Sequence, residues 1–101
     1  MSEQRQQLLE LQQQLQQRLS AVQRDLQQEH ATDSAEQAQQ RENDEVLQQL
    51  EKHLLHELLQ LHLALDRLQR GDYGLCDQCG AAIAPARLKL LPFALRCQHC
   101  A

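Results

Sequence analysis

Glycine, proline and aromatic residues are scarce in this 101-residue chain: 3 Gly, 2 Pro, one Tyr, one Phe and no Trp. Two aromatic rings cannot build the stacking platform on which single-stranded nucleic acid is held. The shortage of aromatic and β-branched residues also excludes an all-β domain. No apolar run approaches the ~18–20 residues of a membrane span, and the polar start Met1–Gln7 is not that of a signal peptide. With a formal charge of -4, the chain lacks the basic surplus of a general phosphate-neutralising binder. The expectation is a soluble, cytoplasmic, mostly helical protein with a small core and no membrane or sequence-specific nucleic-acid partner.

Leu (21) and Gln (20) dominate what is present. Residues 2–70 contain neither Gly nor Pro, and are rich in Leu, Gln, Glu, Arg and Ala, all strong helix formers. Leu8, Leu11, Leu15, Leu19, Val22 and Leu26 recur in steps of three, four, four, three and four, and Leu47, Leu50, Leu54, Leu58, Leu61, Leu65 and Leu68 in the same order with a further three. Each run is a heptad seam with one stutter, between 15 and 19 and between 54 and 58. Folding the chain back near 36–37 sets the stutters opposite one another. It also pairs Leu26 with Leu47, Val22 with Leu50, Leu19 with Leu54, Leu15 with Leu58, Leu11 with Leu61 and Leu8 with Leu65. The seams therefore predict an antiparallel two-helix coiled-coil hairpin over 1–70, with helices of about 30 residues and a length of roughly 45 Å. A seam satisfied within one chain favours a monomer. The bend is expected within residues 30–38, where Asp33 and Glu36 have the spacing of a capping box.

All four cysteines fall in the final segment, 71–101, as Cys76-x2-Cys79, seventeen residues, Cys97-x2-Cys100. Two such pairs can close a tetrahedral thiolate cage, and with no leader present a metal site is favoured over two disulfides. One structural Zn²⁺ is the leading expectation, with redox dithiols or an iron centre as the other uses of such a set. Four protein ligands leave no open position for catalysis. The metal would fold a segment whose own apolar set, Leu75, Ile83, Leu88, Leu91, Phe93 and Leu95, is too small to stand alone. His99 is read as a bystander, and His53, His56 and His62 as a solvated flank of the second helix.

Charge is unevenly placed. Residues 25–45 carry seven acids (Asp25, Glu29, Asp33, Glu36, Glu42, Asp44 and Glu45) against Arg41, whereas 73–101 carry Arg87, Lys89 and Arg96 against Asp77. Acids at the start of the second helix suit its macrodipole, but Asp25 and Glu29, near the end of the first, oppose it. A rod with carboxylates gathered at its tip is suited to delivering them into a narrow cleft.

Together these features resemble the DksA/TraR family of C4-type zinc-finger transcription factors. The resemblance is carried by Gly71-Asp-Tyr-Gly-Leu-Cys76-Asp-Gln-Cys79-Gly80, Ile83, Arg87-Leu88, Pro92 and Cys97-Gln-His-Cys100, with a hairpin of matching length before them. It implies a non-enzymatic regulator whose zinc module docks on RNA polymerase at the secondary channel, while the coiled-coil tip approaches the active centre. The family's D-x-x-D-x-A tip falls on Asp33, Glu36 and Ala38. Glu36 thus replaces the second Asp and displaces its carboxylate by roughly 1.5 Å, one C–C bond. Positions that are basic in the members that bind guanosine tetraphosphate (ppGpp) fall on Gln60, Leu91 and Ala101, and the chain ends one residue after Cys100. The usual ppGpp response is therefore not expected. Two other readings of the same chain are a zinc-containing adaptor that does not regulate polymerase and a Gre-like stimulator of transcript cleavage. DNA binding by the zinc module would rest on Arg87, Lys89 and Arg96 alone.

Overall fold

A computed structural model describes residues 2–27 and 34–101, the side chains of 2, 34 and 35 excepted. Two long helices, α1 (Ser2–Leu26) and α2 (Ser34–Arg70), pack side by side, and a short third helix, α3 (Pro85–Leu90), lies within the cysteine-rich segment. The molecule is elongated, 56 × 28 × 19 Å. Among the described residues no helix is long and apolar enough to cross a membrane.

Both long helices are uninterrupted because nothing in them breaks the hydrogen-bond ladder. α2 begins at Ser34, so Glu36 and Ala38 lie in its opening turns and not in a bend. At 37 residues α2 exceeds the expected length, while α1 has 25. Arg67 and Arg70 in the last turn of α2 complement the negative end of its dipole. The helix stops at Gly71, whose φ of +86° suits a residue without Cβ. There the Asp72 N–H donates to Arg67 O (2.8 Å) and the Gly71 N–H to Leu68 O (3.3 Å), the paired bonds of a Schellman motif.

The hairpin core consists of Leu8, Leu15 and Val22 from α1 with Leu54, Leu61 and Ala64 from α2. The α1 residues recur every seven positions, as do Leu54 and Leu61. Leu11, Leu19, Leu26, Leu47, Leu58, Leu65 and Leu68 pack against them, partly buried. Two positions depart from the seam. Leu50, the expected partner of Val22, remains 42% exposed, while Ala64, which no heptad count selected, is only 1% exposed. A methyl side chain at 64 fills the space left between larger neighbours.

The cysteine-rich segment also departs from its expected core. Ile83 is buried with Cys76 and Cys97, and Leu88 packs beside them. Phe93 and Leu95, joined by Tyr73, instead pack against the hairpin cluster, and Leu75 and Leu91 are exposed. Burial on the hairpin gives these residues more contact than so small a segment could supply.

Candidate metal centre and hairpin tip

Local backbone geometry builds each half of the cysteine site. Leu75 and Ala82 form an isolated antiparallel bridge. Across it the Cys76 N–H donates to Ala81 O (2.8 Å), and the Gly80 N–H returns to Cys76 O (3.0 Å). Gly80 makes this turn at φ +76°, with no atom within 4 Å of where a Cβ would stand. The need for glycine there is thus one of backbone conformation rather than space. In the second half the N–H groups of Cys100 and Ala101 both donate to Cys97 O at 3.1 Å. The Asp77 N–H to Leu95 O bond (2.8 Å) draws the two halves together.

The four sulfurs then lie within 4.8 Å of one another. Cys79 Sγ and Cys97 Sγ are 3.8 Å apart, far beyond the ~2.05 Å of a disulfide. Tetrahedral Zn–S bonds of about 2.3 Å require S···S edges of about 3.8 Å, so donor set and spacing both fit one Zn²⁺. Two of the thiols hold their protons unequally. Hydrogen bonds from the Cys79 and Cys97 backbone lower the Cys76 thiol to about 6, whereas hydrogen bonding with the Cys97, Cys76 and Cys79 side chains pushes Cys100 up to about 12. A divalent ion bound by the four sulfurs displaces whatever thiol protons remain. His99 is exposed and outside the cluster.

Several residues outside the cysteines hold this centre in place: Tyr73, Asp77 and Arg87 lie in the motif that carries the resemblance, whereas Arg67 carries no sequence signal. The Arg67 guanidinium, in the last turn of α2, donates to Asp72 O (3.2 Å) and to Leu75 O, fastening the helix end to the first cysteine loop. Arg87 Nε donates to Arg96 O (3.0 Å), and Arg96 Nε pairs with Asp77 Oδ1 (3.1 Å). The Tyr73 hydroxyl donates to Pro92 O (2.8 Å), and burial raises its pKa above the ordinary 10.0. A neutral hydrogen bond of this kind is worth about 1 kcal/mol. Tyr73→Phe should therefore lower unfolding free energy by about 1 kcal/mol in urea denaturation, with zinc content unchanged. An unchanged midpoint would show that the bond adds nothing.

A groove of about 630 Å³ runs between α2 and the cysteine-rich segment. Gln60, Leu91 and Ala101, distant in sequence, all line it, beside His53, His56 and Phe93. His53 is paired with Glu57. Toward the other end of α2, about 36 Å of helix from Gln60, Glu36 and Ala38 are both exposed. Two residues apart on a helix, they point about 200° from one another. The structure therefore brings the cysteines together but gives Glu36 and Ala38 different faces. Asp33 lies outside the described residues.

Comparison with known proteins accounts for nearly all of the chain. Residues 71–101 match the prokaryotic dksA/traR C4-type zinc finger, and residues 4–68 match the DnaK suppressor protein-like N-terminal domain. The fold is similar to that of transcription factor DksA2 from Pseudomonas aeruginosa, with a TM-score of 0.82 and 33% sequence identity. That match covers 98% of this chain and 78% of the other. An uncharacterised protein from Aquifex aeolicus (strain VF5) is 33% identical over 58 residues, 57% of this chain. The chain spans only 40% of that curated relative's length.

Proposed function

Because the chain belongs to the DksA/TraR family of C4 zinc-finger transcription factors, we propose that it binds RNA polymerase at the secondary channel and modulates transcription initiation. Residues 71–101 form the docking module. Residues 1–70 form the hairpin that carries Asp33, Glu36 and Ala38 toward the active centre. The observation that carries this reading is the uninterrupted α2, which leads from the cysteine cage to an exposed Glu36 without a hinge. A packed two-helix rod of this length can enter a channel without losing its shape, and its tip charge enters with it. Zinc's contribution is to close the fold of the module; no chemistry is asked of it. Family members are transcription factors, not enzymes, and the site of action is the cytoplasm, where the polymerase works.

The same reading makes the effect independent of ppGpp. Gln60, Leu91 and Ala101 offer the groove no cation. The two arginines that line it are engaged, Arg87 with Arg96 O and Arg96 with Asp77. An anionic nucleotide would have to compete for them.

Purified polymerase on a ribosomal promoter tests both parts. Intact protein should change open-complex lifetime equally with and without ppGpp. Asp33→Asn and Glu36→Gln should retain binding but reduce the effect by about tenfold or more, because each removes a carboxylate charge from the tip without changing its shape. Failure to co-purify with polymerase would turn the assignment toward an adaptor for another partner. Accelerated transcript cleavage in stalled complexes would favour the Gre-like reading, and strong synergy with ppGpp would remove the independence.

A further inference from the structure

The stripe of α2 that packs on α1 is not its only apolar one. Leu55, Leu59 and Leu63 form a second ridge, 48%, 56% and 41% exposed. At about 100° per residue, Leu55 and Leu63 lie within about 40° of Leu59 to either side. Lys52 and Asp66 lie on the same line, beyond each end of the ridge, within about 20° of Leu59. The resulting order, Lys52, Leu55, Leu59, Leu63, Asp66, has steps of three, four, four and three, and is symmetric about Leu59. Its apolar centre is like-to-like, and its two ends are opposite in charge.

We propose that this ridge is a self-complementary docking surface through which two copies of the chain associate antiparallel. With a two-fold axis at Leu59, each Leu55 meets Leu63 of the second copy and each Lys52 meets Asp66 of the second copy. This is the residue exchange of an isologous interface. A parallel arrangement would set lysine against lysine, so charge selects the direction as well as the partner. Lys52 makes no ion pair with the described residues. Asp66 is held by its own Arg70 at 3.2 Å, but both side chains are more than half exposed. Such a solvent pair is weak enough to share.

Five residues per copy fall short of the ~800 Å² per partner of a standard interface, so the dimer is weak, with a dissociation constant on the order of 100 µM. It adds to the satisfied hairpin seam and does not replace it. Leu59 and Leu63 also line the groove between α2 and the zinc module. The second copy therefore covers one wall of that groove. The contact rests on α2 alone and holds whether or not the chain regulates polymerase.

Sedimentation equilibrium of the zinc-loaded full chain, from about 10 µM to 1 mM, brackets that dissociation constant and tests the proposal. Leu59→Gln should weaken association by at least about tenfold, with helicity and zinc content unchanged because the residue is exposed. Lys52→Glu and Asp66→Lys should each weaken it by about fivefold, since like charges then face one another. The double variant Lys52→Glu/Asp66→Lys should return to within about twofold of the parent, because the pair is restored with its signs reversed. A chain that stays monomeric throughout, association unaffected by Leu59→Gln, or a double variant no better than the single ones would each overturn it.

Discussion

Removing the metal, by chelation or by Cys97→Ser, should unfold residues 71–101 and loosen the adjoining end of the hairpin. The segment buries only Cys76, Ile83 and Cys97, with Leu88 and Cys100 partly covered. Two of the three fully buried positions are thus ligands, and without the ion the apolar remainder is little more than one isoleucine. Structural zinc sites contribute on the order of 10 kcal/mol, comparable with the whole stability of a domain this size. The loss should spread, because Tyr73, Phe93 and Leu95 pack on the cluster that contains Leu8, Leu61 and Ala64. Hydrogen exchange followed by mass spectrometry should show protection lost throughout 71–101 and reduced at 61–70, while 40–58 keeps most of its own. Acid should act in the same direction as chelation: the ligands are thiolates, so protons compete with zinc increasingly as pH falls. Unchanged protection in metal-free protein would mean that the segment folds on apolar contacts alone.

Leu61→Ala should lower unfolding free energy by about 3 kcal/mol, within the range of about 2–5 for buried leucines. Leu61 is 0% exposed and sits in the hairpin cluster with Leu8 and Ala64. The alanine already at 64 makes the site harder to collapse, since a second small residue one turn earlier leaves no long side chain to swing into the void. Two contributions therefore add: the transfer of the lost methyl and methylene groups, and the cavity they leave. For a chain of this length such a change lowers Tm by on the order of 15 °C. Leu59→Ala, two residues away but 56% exposed, should stay within about 0.5 kcal/mol and serves as the control. Urea denaturation of the zinc-loaded protein measures both. Equal losses at 59 and 61 would contradict the facing of α2 described above.

Much of this molecule is determined by its sequence alone. Absence of glycine and proline over 2–70 and leucines in steps of three and four specify two long helices with a shared seam, because helix geometry converts spacing directly into facing. Cys76, Cys79, Cys97 and Cys100 specify a thiolate cage because short C-x2-C spacing predisposes both sulfurs toward one point. Tertiary structure alone decided which seam positions are sealed. Leu50 and Ala64 exchange the roles that periodicity assigns them, since burial depends on how closely the helices approach at each level as well as on the face a residue occupies. It also decided where Tyr73, Phe93 and Leu95 find their partners, and that Arg67 ties α2 to the cysteine loop. Sequence spacing cannot reach such contacts, because a small segment with too little core of its own settles wherever a neighbouring surface buries it best.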